Sequence, residues 1–178
     1  MARLPYIDAS SASPDVAAAL ARVPDLNIFK LMAHAEGAFT PFLRFGRAML
    51  ADLELDPVVR EFAIIRVAAL TPGAEYEWIQ HEAIAREVGV SEVMIEGART
   101  GAGVSGDADL VLRLVDQIVK QSVVDDLTFA EATARFTSRE LVELVLTVGL
   151  YMMLGRVMAI AEIDLDLPTT LSGLGAVK

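Results

Sequence analysis

The sequence predicts an all-α fold, a helical bundle whose subunits assemble into an oligomer. Three observations lead there. Helix start and stop signals recur along all 178 residues. No run of alternating apolar and polar residues reaches strand length. Hydrophobic residues make up 54% of the chain and mean hydropathy is +0.47, high for a lone soluble chain, so copies are expected to share apolar surface. The length suits one domain spanning 1–178, with residues 1–12 and 165–178 as irregular tails.

The elements follow in order. Ser13-Pro14-Asp15 reads as an N-cap, a first-turn proline and an acidic first turn, opening an Ala-rich helix that ends near Val23-Pro24. A second helix covers Leu26 to Ala35. A third covers Phe39 to Ala51, with Phe42, Phe45 and Met49 along one side. Asp56-Pro57 starts a fourth that runs through Arg60, Glu61 and Arg66 to Leu70, where Thr71-Pro72-Gly73 breaks it. The fifth, "AEYEWIQHEAIA" and onward, closes at Gly89. Ser91 caps a sixth, and "TGAGVSGDAD" is a glycine-rich loop. A seventh runs from Asp107 to Gln121, and a short eighth follows Leu127. Thr137 and Glu140 fit a capping box that launches a nearly all-apolar helix to about Ile163. Such a helix is expected to be buried on most sides.

Composition narrows the function. A formal charge of −10 argues against binding a phosphate backbone, and no Lys/Arg-rich run overrides it locally. The absence of cysteine removes disulfides, thiol catalysis, Cys-ligated zinc and iron–sulfur clusters. The opening "MARLPYIDASSASPD" has no signal-peptide core, and the most apolar stretch, Leu144 to Gly155, is shorter than the roughly 20 residues a bilayer needs. The expectation is a cytoplasmic protein that engages neither membrane nor nucleic acid.

The fifth helix carries the chemistry. Glu77 and His81 lie four apart and share a face. A carboxylate there can hold an imidazole by one nitrogen and leave the other for acid–base work. Trp78, three residues before His81, is placed to wall a pocket with Tyr76, and Ile84 and Val88 continue the His81 face as a dry surround. Against this stands the plainer alternative of an exposed helical pair and a core tryptophan. His34 has no partner at a diagnostic spacing.

Taken together, "R-E-x-x-I-x-R-x-A" at Arg60–Ala68 followed by "E-Y-E-W-x-x-H" at Glu75–His81 resembles the carboxymuconolactone decarboxylase family, which includes the alkylhydroperoxidase D-like proteins. The resemblance spans roughly Asn27 to Asp164. It implies an all-α fold in homotrimers or homohexamers. The peroxidase branch places Cys-x-x-Cys seven and four residues before its histidine, with a glutamate on the preceding helix. Here those cysteine positions hold Ala74 and Glu77, the histidine matches His81 and the glutamate matches Glu61. Without sulfur, dithiol peroxidase chemistry does not transfer. The decarboxylase branch uses neither cysteine nor cofactor. By that resemblance the chain is a cofactor-free lyase or isomerase acting on a small carboxylated lactone or related ring-cleavage product. His81, oriented by Glu77 or Glu61, serves as its general acid or base, and Arg60 or Arg66 clamps the substrate carboxylate. The competing expectation is an oligomeric scaffold that kept the fold without the activity.

Overall fold

The computed structural model describes residues 1–170. The expected tail at 171–178 lies outside them. Among the described residues there are helices and no strands: α1 (Pro14–Leu20), α2 (Asn27–Met32), α3 (Glu36–Ala51), α4 (Pro57–Leu70), α5 (Glu75–Val88), α6 (Glu92–Thr100), α7 (Asp107–Gln121), α8 (Asp126–Arg135) and α9 (Ser138–Ala161).

Local chemistry fixes most boundaries. The Asp56 carboxylate accepts the Val58 and Val59 amides ahead of Pro57. Gly89 ends α5 with φ of 100°, a left-handed turn open to glycine at little cost. Thr137 and Glu140 form a reciprocal box at the head of α9: the Glu140 amide donates to Thr137 Oγ1 and the Thr137 amide to Glu140 Oε2. Ser13 departs from its expected role. Its hydroxyl donates to Glu36 Oε2 at 2.9 Å and leaves the first turn of α1 without a side-chain cap. Phe45 also departs, standing exposed on α3 while Phe42 and Met49 turn inward.

The central helix is α4, against which α5, α6, α7 and α9 all pack. Every residue from Arg60 to Ala68 is buried, because the helix has neighbours on all sides. The helix expected to be buried on most sides, α9, is only partly enclosed within one chain. It is long and apolar enough to cross a membrane by length and composition, yet half of its most apolar window is buried inside the protein. Val142, Val145, Leu146, Met153 and Ile160 remain exposed along its outer side.

Two apolar clusters result. The larger gathers residues of α4, α5, α7 and α9. A smaller one, built on Val16, Ala19, Ala33 and Phe39, ties α1 and α2 to α3. From 163 to 170 the chain runs without helix or strand, yet it is fastened. Asp166 accepts the Tyr76 hydroxyl at 2.6 Å and the Asn27 amide at 2.7 Å. Gln80 donates to the Leu167 carbonyl and accepts from the Thr169 amide.

Candidate active site

A cavity of about 460 Å³ opens where the two clusters meet, walled by α2, α3, α5 and α9. Its lining is mainly aliphatic and aromatic, with Phe29, Phe42, Leu50, Ile84 and Leu154 among the contributors. Polar groups converge on one part of it: Glu77, Gln80 and His81 from α5, and Tyr151 from α9.

His81 is the hub. Its Nδ1 lies 2.8 Å from Glu61 Oε2, on the neighbouring helix α4. Its Nε2 lies 3.4 Å from Glu77 Oε1, one helical turn back. Glu61 is completely buried, and its other oxygen accepts from Arg60 Nε at 3.0 Å. The chain of groups therefore runs Arg60, Glu61, His81, Glu77 and ends at the cavity. Both glutamates named from the sequence touch the imidazole, on opposite nitrogens. Glu61 fixes the ring's orientation from α4, and Glu77 faces the other ring nitrogen.

Burial shapes the protonation. Desolvation raises the Glu77 carboxyl to about 7; the His81 charge opposes that rise and the Glu61 charge adds to it. Desolvation pulls His81 down, but the charge and hydrogen bond of Glu61, with the charge of Glu77, outweigh it and leave the imidazole above its ordinary value. Burial raises the Tyr151 hydroxyl well above the usual tyrosine range, reinforced by the charges of Glu61 and Glu77. The Tyr151 and His81 rings meet edge to face, with centroids 4.7 Å apart. A carboxyl that titrates near 7, paired with an imidazole of raised basicity beside a neutral hydroxyl in a mainly apolar cavity, is a chemistry suited to moving a proton to or from a carbon acid.

Other expected site residues fall elsewhere. Arg66 is not a substrate clamp: Nε and Nη2 form a fork with both Asp116 oxygens at 2.6 and 2.8 Å, and Nη1 donates to the Ala98 carbonyl. It staples α4 to α6 and α7. Gly101 packs against this guanidinium so closely that an added Cβ would come within 2.8 Å of Nη2. Arg60 is buried and braces Glu61, so it acts behind the histidine and does not line the cavity. Trp78 faces away and carries the Arg99 guanidinium 4.2 Å above its ring. Tyr76 does line the cavity, but its hydroxyl is committed to Asp166. His34, at the surface, contacts the Pro5 carbonyl. Sequence reasoning passed over Tyr151, Gln80 and Arg47. The signal for Arg47 was its place on α3, four residues after Leu43 and three before Leu50, a cation on an otherwise apolar helical face.

Comparison with known proteins places the chain by sequence and by fold. Residues 36–116, which carry Arg47, Glu61, Glu77 and His81, match the sequence model of the carboxymuconolactone decarboxylase family. No curated protein matches the chain. Solved structures do. An uncharacterized peroxidase-related protein from Ralstonia eutropha JMP134, described as an alkylhydroperoxidase AhpD core, superposes with a TM-score of 0.73 at 18% identity over 99% of this chain and 97% of its own. A peroxidase-related protein from Silicibacter sp. TM1040 gives 0.72 at 15% identity, over 90% of this chain and 91% of that one. An AhpD-type protein of unknown function from Agrobacterium tumefaciens gives 0.66 at 17%, over 81% and 99%. At these identities the likeness establishes the alkylhydroperoxidase D-like fold. In this chain a carboxylate, Glu77, faces the histidine, and there is no cysteine to supply a thiol.

Proposed function

We propose that the protein is a cofactor-free acid–base catalyst, a lyase or isomerase acting on a carboxylated lactone or a related unsaturated carboxylic acid. The observation that carries the reading is the imidazole of His81 held between two buried carboxylates, with Nε2 and Glu77 at an apolar cavity. In the lyase direction the bond from carbon to the carboxylate breaks and carbon dioxide leaves. The bonding pair enters the conjugated system and its charge comes to rest on the lactone oxygen. The Tyr151 hydroxyl, kept neutral, is the donor assigned to that oxygen. The proton shared by Glu77 and His81 is delivered to carbon and is replaced from solvent. An isomerase would take a proton from one carbon and return it to another through the same pair. Neither route consumes an oxidant, and neither needs the sulfur that this chain lacks.

The test is a screen of unsaturated and lactone carboxylic acids for carbon dioxide release and for solvent deuterium entering carbon positions. Turnover that His81→Gln abolishes supports the reading. Turnover indifferent to His81 and Glu77 sinks it, and the absence of turnover or exchange with every acid screened favours the scaffold alternative.

The partner in this reading is a further copy of the chain. The exposed apolar side of α9, with Val142, Val145, Leu146, Met153 and Ile160, is the surface a second subunit would cover. Light scattering should report an oligomer at micromolar concentration, and Val145→Lys with Leu146→Lys should reduce it to monomers. A wild-type monomer under those conditions removes this part of the proposal.

A further inference from the structure

The cavity holds more than the acid–base pair requires, and its far wall is chemically uneven. The wall is one face of α3: Phe42, Leu43, Gly46, Arg47, Leu50 and Ala51 recur at the helical spacing that points side chains in one direction. All are apolar or small except Arg47, which is the one lysine or arginine among the described residues lining the cavity. Its guanidinium is weakly engaged. The nearest carboxylate is Asp52, with Nη1 to Oδ2 at 3.8 Å, and both side chains are about half exposed. Such a pair contributes little and leaves the guanidinium free to exchange partners. The buried arginines Arg60 and Arg66, by contrast, are both committed to carboxylates.

Size adds a second constraint. A volume of about 460 Å³ lies within the range that encloses drug-sized ligands, about 300–1,000 Å³. At roughly 30 Å³ of liquid volume per water it equals about fifteen waters, more than a single lactone ring with its substituents displaces. Gly46 widens the space further: a Cβ built there meets nothing within 4 Å, and its backbone is ordinary helix.

We infer that the site takes an amphipathic organic anion with an apolar body of two rings or a chain of similar bulk, its anionic head bound by Arg47 at the rim and its body lying along α3 toward His81. This deepens the function proposed above and rests on it for the chemistry, but the binding subsite stands on Arg47 and the cavity alone.

The experiment is calorimetric titration with 2-naphthylacetate, its neutral amide and a one-ring lactone carboxylate, at pH 8 and low salt. Wild-type protein is expected to bind the acid about tenfold more tightly than the amide, the scale of one charge-assisted hydrogen bond. Arg47→Met should erase that preference, and Arg47→Lys should keep part of it. Gly46→Phe, a substitution that the open space accommodates, should weaken acid and amide alike by about tenfold or more. Circular dichroism confirms that each variant is folded. Equal affinity for acid and amide, an unchanged preference in Arg47→Met, or no binding of the naphthyl acid at millimolar concentration overturns the subsite. Tighter binding of the one-ring acid overturns the size assignment. Arg47-dependent binding, with no compound of either size turned over or exchanging carbon-bound hydrogen, leaves the subsite standing and removes the acid–base reading instead.

Discussion

Glu77 and Glu143 are both nearly inaccessible carboxylates, and they are held in opposite ways. Glu143, near the start of α9, receives the Leu55 amide on one oxygen and Arg139 Nε on the other, each at 2.8 Å. Burial pushes its carboxyl up, but the Leu55 amide and the Arg139 guanidinium outweigh that and hold it below the ordinary glutamate value. Glu77 has only the imidazole of His81 at 3.4 Å among the strong partners, and desolvation raises it to about 7. A carboxylate whose lone pairs are filled by donors is a structural brace. One left short of donors beside a cavity is a proton carrier.

The sharpest way to break this contrast is through His81. His81→Gln keeps a hydrogen-bonding group near Glu61 but cannot exchange a proton near neutral pH. The rate on a true substrate should fall by about 10²- to 10⁴-fold, or roughly 3–5 kcal/mol of barrier. An unimpaired rate would make Glu77 just another buried carboxylate. His81→Ala is less clean, because it would leave an oxygen of fully buried Glu61 without its partner and lower stability as well.

The next effect belongs to Glu143. Glu143→Ala removes the acceptor for the Leu55 amide and should cost about 2–3 kcal/mol, or roughly 5–10 °C in Tm, with no change in cavity binding. A loss below the error of thermal melts would show that the brace is idle.

The smallest effect has the opposite sign. In the folded protein Glu77 titrates near 7 instead of near its ordinary value of 4.5, so the native state holds a proton that the unfolded state has released. Stability from this group is complete below about 4.5 and declines as pH rises toward 7. His81, raised above 6.5, declines in the same direction as pH rises through its folded value. Glu77→Gln should therefore stabilise the protein by about 1–3 kcal/mol at pH 8, leave it nearly unchanged at pH 4.5, and flatten the slope between. Glu143, held low, contributes above the ordinary glutamate range and is lost toward acid. Melting curves of both variants across pH 4–8 separate the two glutamates by sign.

The fold was legible because its boundaries are chemical. Asp56-Pro57, Gly89, Ser91 and the Thr137–Glu140 box are local signals, and a helix start needs only local signals. His81 and Glu77 were legible for the same reason, one turn apart on one helix. What escaped depends on which helix faces which. Arg60 and Arg66 are indistinguishable in sequence, and only the placement of α6 and α7 commits Arg66 to Asp116 and Ala98. Trp78 is one residue from Glu77, but a step of one along a helix turns a side chain by about 100°, enough to move it out of the cavity. Tyr151 lies seventy residues beyond His81 in the chain, and only the packing of α9 on α4 brings it to the imidazole.

The position of α3 has a practical consequence. It packs chiefly on α1, and it spans the two clusters: Phe39 belongs to the small one, Met49 to the large one, and Phe42 packs against both. The His81 cluster sits on α4 and α5, while Phe42, Leu43, Gly46, Arg47 and Leu50 face it across the cavity. Libraries confined to Gly46, Arg47 and Leu50, which belong to neither buried cluster, can redraw what the cavity admits with little interference from folding defects.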